Sequence, residues 1–193
     1  MGGYRFDIGP TFLMMKSLLD RIFTEAGKSS EDYLDFVRLD PMYELRYDDE
    51  VFRACDNVED TKKEIERLFP GQSSGMDRFL KREKTRLNSL LPAFERDFSN
   101  PVKNLDPTLL PPLPHLSFGT TVFDNLKKYF SDEKLALLFS FQSKYLGMSA
   151  WECPGALAML TYMEPEHGVY HTMGGISEIP AALGKAAEDC GAE

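Results

Sequence analysis

The alternation of apolar and polar positions divides the chain into a strand-rich start, a helical middle and a strand-turn-helix close. Residues 4–8 alternate and are rich in strand formers. Gly9-Pro10 breaks them and opens a helix with Pro near its first position. In that helix Met14 or Met15, Leu18, Leu19, Ile22 and Phe23 recur at helical spacing as a buried stripe, and Gly27 supplies the stop. Residues 29–34 read as a turn or short helix. The runs 36–39, 43–47 and 51–55, separated by Asp40-Pro41 and by the acidic residues 48–50, predict a small antiparallel meander.

From residue 57 the period lengthens to that of a helix. Residues 61–69 form one, closed by Pro70-Gly71. Residues 73–91 form a longer one, with Met76, Phe79, Leu80, Leu87, Leu90 and Leu91 on one face and Pro92 kinking or ending it. Residues 100–114 hold five of the twelve prolines yet display Leu105, Leu109, Leu110 and Leu113, the pattern of a loop or broken turn. Thr120 or Thr121 caps a helix that runs through Phe130. Ser131 caps the next, through Phe139, Phe141 and Tyr145 to Gly147. Ser149-Ala-Trp-Glu152 is a capping box that opens a third, through Leu157, Leu160 and Met163.

Residues 169–173 are β-branched and aromatic and read as a strand. Gly174-Gly175 then permits a turn or a close approach where a Cβ would clash, and Ser177 and Pro180 start a helix whose stripe is Ile179, Leu183 and Ala186, ended by Gly191. Such a strand, glycine pair and helix can bring bare N–H groups up to a ligand, although the local pattern by itself favours a plain tight turn. Taken together the elements predict an α+β fold, rich in helix with a small antiparallel sheet.

Composition and charge narrow the function. The chain is 42% hydrophobic and 27% charged with a net charge of −9, and no basic stripe offers phosphate contacts, so nucleic acid is not an expected partner. Cys55, Cys153 and Cys190 are odd in number and far apart, which reads as free thiols in a reducing compartment and not as a metal site. The apolar run 135–139 is too short to span a bilayer. No Gly-x-Ser-x-Gly elbow or Walker loop is present; residues 71–75 lack the Lys of the latter. His167 and His171 lie near Glu164 and Glu166, but the segment reads as loop into strand, where residues four apart stand well separated, so no metal is expected. The second half is crowded with aromatics, from Phe118 to Tyr162. At helical spacing these serve core more often than ligand pocket. The leucines of 109–113, set among prolines, fit either contact with a membrane or oily substrate, or burial against the protein.

Four segments together resemble one family, the phytoene desaturases, FAD-dependent oxidoreductases of carotenoid synthesis within the amine-oxidase-like flavoproteins. They are Gly3-Tyr-Arg-Phe-Asp-Ile-Gly-Pro-Thr11, Glu31-Asp-Tyr-Leu-Asp-Phe-Val-Arg-Leu-Asp-Pro41, Phe139-Ser-Phe-Gln-Ser-Lys-Tyr-Leu-Gly-Met148 and Gly168-Val-Tyr-His-Thr-Met-Gly-Gly175. The resemblance implies a flavin-type fold in which 1–35 and 167–193 belong to the flavin-binding domain and 36–166 to a substrate-binding, membrane-facing region. It implies that Gly9, Pro10, Thr11, Gly174 and Gly175 border FAD, and that Phe139, Phe141, Tyr145, Trp151 and Tyr170 face a long isoprenoid. The Gly-x-Gly-x-x-Gly fingerprint that seats the FAD pyrophosphate does not occur, so the chain resembles the middle portion of a complete enzyme, less than half of it.

Some bacterial members carry an acid between basic residues after the long helix. Asp106 matches the acid, as a charged catalytic participant or else as an N-cap beside Pro107, but Leu105 and Leu109 stand where the arginines would be, and Met173 takes an often basic position. The implied chemistry is hydride transfer from a polyene precursor to flavin. The chain is expected to be inactive in this truncated form; a related carotenoid isomerase or saturase, or an apolar-ligand or partner-binding module, stays open. The expected location is cytoplasmic with peripheral membrane association. Ile8, Val169 and Ile176 are expected to be bare of the strands they would pack on, and so to promote self-association.

Overall fold

Two small sheets and a series of helices account for the regular structure in a computed structural model that describes residues 3, 6–94, 99 and 113–192. The chain folds as two compact units. One comprises Met1–Glu44, Arg53–Val58 and Met163–Glu193; the other comprises Leu45–Phe52 and Glu59–Tyr162. Asp106, Leu105 and most of the proline-rich loop lie outside the described residues.

In the first unit three antiparallel strands form a sheet whose middle strand is contributed late in the chain. β1 (Leu13–Met14) and β2 (Phe36–Arg38) flank β5 (Val169–Thr172), with Leu13 opposite Tyr170 and Val37 opposite His171. β2 therefore does not join the meander expected from its neighbours. That expectation used sequence proximity, whereas β2 is paired with a strand more than a hundred residues away. Val169, in the middle strand, is 3% exposed and is covered, contrary to the expectation that it stands bare.

Helices α1 (Lys16–Glu25) and α7 (Glu178–Asp189) supply the unit's core, in which Leu19, Phe23 and Leu34 meet Ala182 and Ala186. α1 begins six residues after Pro10. Residues 13–14 give their backbone to β5, and Met15 takes a left-handed conformation at φ 53° that breaks the chain direction before the helix. The helix buries only its Leu19–Phe23 ridge, spaced i, i+4, and leaves Leu18 and Ile22 largely exposed. The Tyr33 hydroxyl donates to Asp189 Oδ2 at 2.9 Å and ties the 3₁₀ turn Ser30–Asp32 region to the end of α7. Residues 6–8, expected as part of a strand, have no regular structure.

β3 (Tyr43–Tyr47) and β4 (Glu50–Ala54) form a two-stranded ladder that contributes residues to both units. The second unit is built on α2 (Val58–Leu68) and α3 (Ser74–Phe94), where the expected stripe holds: Met76, Phe79, Leu87 and Leu90 are buried. Pro92 sits in the last turn of α3 and ends nothing until Phe94. The Phe79 ring packs against Tyr129, Phe130 and Phe139, and Phe139 also meets Phe52 at 5.8 Å. Gly75 lets α3 approach this cluster, since a Cβ there would lie 2.4 Å from the Tyr129 carbonyl oxygen.

Two caps show how local signals are read and misread. Thr121 caps α4 (Val122–Lys127) in a full capping box with Asp124. α5 (Glu133–Leu138) is capped by Asp132, whose Oδ1 accepts from the N–H groups of Lys134 and Leu135; Ser131 is instead engaged by Gln72, giving its N–H at 3.0 Å and accepting at 2.7 Å. α5 stops at Leu138, and a 3₁₀ helix, Phe141–Leu146, follows and closes at Gly147. Ser149 and Glu152 are hydrogen-bonded at 2.7 Å but open a turn, with α6 (Met159–His167) starting later. α6 runs through Pro165, so residues 164–167 are helical, not loop.

Candidate functional site

A cavity of about 880 Å³ opens in the first unit between the loop 6–10 and the turn that follows β5. Its lining is Phe6, Asp7, Ile8, Gly9 and Pro10 from the loop, His171 from β5, and Gly174, Gly175, Ile176 and Ser177 from the turn. The volume is that of a cofactor or small-molecule site. The walls are made by backbone as much as by side chains. Gly174 and Gly175 lie at φ 89° and 101°, a region that side chains rarely adopt, and β5 ends just before them.

The Asp7 side chain joins the two walls. Asp7 Oδ1 accepts a hydrogen bond from the Ile176 backbone N–H at 3.2 Å, and a Cβ on Gly175 would lie 3.0 Å from the same oxygen. The lining includes no Lys or Arg. With the Asp7 carboxylate on the wall and no cation beside it, the lining suits an uncharged ring system better than a phosphate group.

The residues marked by resemblance divide by position. Gly9, Pro10, Gly174 and Gly175 line this cavity together; Thr11 is exposed and is not among the lining residues. Tyr170 also belongs to this unit, but successive strand residues point to opposite faces, so it stands on the face of β5 opposite His171. There Arg38 Nη1 meets its hydroxyl at 3.5 Å and the guanidinium lies over its ring, while Asp56 holds the same arginine at 2.7 Å. The Asp56 carboxylate raises the Arg38 pKa.

In the second unit Phe139 is a core residue, its ring 4.7 Å from that of Phe130. Phe141 and Tyr145 are half-buried and meet edge to face at 6.1 Å, with Lys144 Nζ over the Phe141 ring. Trp151 is 57% exposed and lies 5.2 Å from Phe123. The structure thus sets the five aromatic residues in a core, a half-buried pair, a surface contact and a separate sheet face. Asp106, the acid candidate, lies outside the described residues.

Other groups were hidden from the sequence pattern. Asp7 and His171 line the cavity; Asp7 stands inside the run Arg-Phe-Asp-Ile-Gly-Pro and His171 inside the segment 168–175, and these two runs are the available signal. Among the described residues no group of His, Cys, Asp and Glu is placed to hold a metal ion; Glu164 accepts from the Tyr43 hydroxyl at 2.8 Å. In the second unit Glu83 and Arg86, one turn apart on α3, are both almost fully buried and stand 2.9 Å apart. The contact is an ion pair without hydrogen-bond alignment, so neither Glu83 oxygen has a hydrogen-bond partner. Arg86 also donates to the Gly155 carbonyl and to Ser117 Oγ, each at 2.8 Å. Burial pushes the Glu83 carboxyl up to about 7, against the pull of Arg86, Arg82 and Lys128.

The sequence carries further information when set beside known proteins. It is 45% identical over all 193 residues to a 4,4'-diapophytoene desaturase (4,4'-diapolycopene-forming) of Methylomonas sp. The chain is a carotenoid-desaturase homologue over its full length. It is 30% identical over 186 residues, 95% of the chain, to a 4,4'-diapolycopen-4-al dehydrogenase of Metabacillus indicus. It is 28% identical over 196 aligned residues, 98% of the chain, to a zeta-carotene-forming phytoene desaturase of Myxococcus xanthus. The chain spans 37–38% of the length of these relatives. No family model matches the chain.

Proposed function

We propose that this chain forms part of an FAD-dependent carotenoid-type desaturase that oxidises a long isoprenoid of the phytoene or diapophytoene class. The observation that carries this is the 45% identity, which extends to every residue of the chain and ranks desaturation above the aldehyde oxidation named for the 30% relative. The cavity of the first unit agrees with it: two glycine turns and apolar side chains leave room for a ring system at close range. Gly9, Pro10, Gly174 and Gly175 would hold the flavin ring, and the chemistry that a bound flavin supplies is acceptance of a hydride. Ile176 would help to exclude water from it. The phosphate-binding fingerprint would come from sequence not contained in these 193 residues.

In this proposal Asp106 is the charged participant in proton removal, and Phe141, Tyr145 and Trp151 belong to the isoprenoid side. The enzyme would sit in the cytoplasm against the membrane surface. Phe118, Leu137, Leu146 and Trp151, all substantially exposed apolar residues of the second unit, support a peripheral contact. Among the described residues no helix is long and apolar enough to cross a bilayer.

The test is a chimera in which this chain replaces the matching stretch of the Methylomonas enzyme, produced in cells that make the colourless diapophytoene precursor. The expected result is a coloured polyene and a yellow, flavin-bearing protein. A folded, yellow chimera that leaves the precursor colourless would remove the desaturase assignment, and a folded chimera without flavin would remove the cofactor assignment.

A further inference from the structure

Loop 6–10 has little to fix it. Among the described residues, no backbone–backbone hydrogen bond holds residues 6–10, and Phe6 and Ile8 are 71% and 101% exposed. Yet the loop forms half the lining of the cavity. The opposite wall is firmly placed: β5 is paired on both sides, and the turn after it carries the Gly175 N–H bond to the Thr172 carbonyl at 3.0 Å and leads into α7. Among the described residues, a contact that crosses from the loose wall to the firm one is Asp7 Oδ1 on the Ile176 N–H.

Gly175 fits this contact. Its φ of 101° already favours glycine, and the position its Cβ would take is 3.0 Å from the Asp7 carboxylate, closer than nearly all Cβ contacts. A side chain at 175 would crowd the Asp7 carboxylate; the missing side chain leaves it room. Ile176 is the first residue beyond the glycine pair, so its N–H is presented by the turn itself.

We propose that Asp7 is a positioning residue: it latches the loop 6–10 onto the Gly174–Gly175 turn and thereby fixes the spacing of the two cavity walls. Its importance for a flavin rests on the function proposed above; the latch itself does not. The carboxylate acts through the loop, setting where Gly9 and Pro10 stand relative to the glycine pair.

Amide hydrogen exchange at Ile176, followed by NMR on the full 193-residue chain without FAD, tests this. Asp7→Leu keeps the side-chain size and removes the acceptor. It should speed Ile176 exchange about tenfold, the factor given by losing roughly 1.4 kcal/mol of local stability, while the β5 amides stay protected. Asp7→Asn retains an acceptor oxygen and should restore protection close to that of the unmodified chain. Unchanged exchange in Asp7→Leu, or exchange in Asp7→Asn as fast as in Asp7→Leu, overturns the latch. Should Asp7→Leu unfold the unit, a scalar coupling across the hydrogen bond, from Ile176 N to Asp7 Cγ in the unmodified chain, decides: its presence supports the latch and its absence overturns it. Because FAD takes no part, a negative result strikes the latch and leaves the flavin assignment to the chimera.

Discussion

At Gly75 in the second unit a Cβ would collide with backbone, at Gly175 in the first it would crowd the end of a side chain, and the two glycines do opposite work. At Gly75 the missing Cβ closes space: α3 comes against the Tyr129 carbonyl and the Phe130 ring in a dense aromatic core. At Gly175 it admits the Asp7 carboxylate and leaves a cavity of about 880 Å³ beside the turn. One region is filled by interlocked rings; the other is bordered by glycine turns, a proline and the Asp7–Ile176 hydrogen bond. The difference teaches that the aromatic-rich half holds packing at Phe139, while the open cavity lies beside glycine turns.

The comparison breaks most readily at Phe79, which is fully buried and touches three other rings. Phe79→Ala should cost about 3–5 kcal/mol of stability, read by denaturant unfolding, as expected for a large cavity in a packed core. A much smaller loss would mean that the second unit is looser than described.

The buried Glu83 gives the next effect, with a definite sign. Its carboxyl titrates near 7 when folded against a usual 4.5, so the folded state holds the proton more tightly than the unfolded chain does. Stability is therefore greatest below about pH 4.5 as far as this group is concerned, and it falls as pH rises to about 7, by up to about 3 kcal/mol. The groups that face it are Arg82 and Arg86 on its own helix, with Lys128 and Tyr129 beyond α4. Glu83→Gln should flatten the unfolding free energy across that pH window; an unaltered slope would show that the carboxyl is not the source.

Smaller effects sharpen the contrast between the glycines. Gly75→Ala should lose about 1–3 kcal/mol to overpacking, despite alanine's better helix propensity. Gly184→Ala, in α7 with nothing within 4 Å of the new Cβ, should gain roughly 0.5–1 kcal/mol. Paired thermal melts check both. Smallest is Trp151→Ala, expected to change stability by less than about 1 kcal/mol because the ring is mostly exposed, while weakening sedimentation with anionic lipid vesicles if the surface contact is as proposed. Equal binding with and without Trp151 would take this residue out of the membrane contact.

Strong helical periodicity made α3 legible nearly to its ends, and the Thr121 cap, the end of the 3₁₀ helix at Gly147 and the short strand at 169–172 were legible for similarly local reasons. What local pattern could not give was partnership. β2 looks like the start of a meander until β5 supplies a better partner, and Ser131 looks like a cap until Gln72 takes its N–H. Glu83 and Arg86 stand out in no pattern, because nothing in an i, i+3 spacing of charges says that both will be buried. At the cavity, the local pattern of Gly174-Gly175 favours a plain turn; it takes the family resemblance to set them, with Gly9 and Pro10, beside a ligand. Asp7 and His171 depended on which chain segments meet in space, which neither spacing nor composition encodes.

The most direct measurement is the flavin content of the chimera when Gly175 is replaced by Val and, as a control, when Gly184 is replaced by Ala, with melting temperatures confirming that each protein is folded. If the glycine turn borders the flavin, the parent and the Gly184→Ala protein purify yellow and the Gly175→Val protein purifies colourless. A folded Gly175→Val chimera with the parent's full complement of flavin would contradict the account.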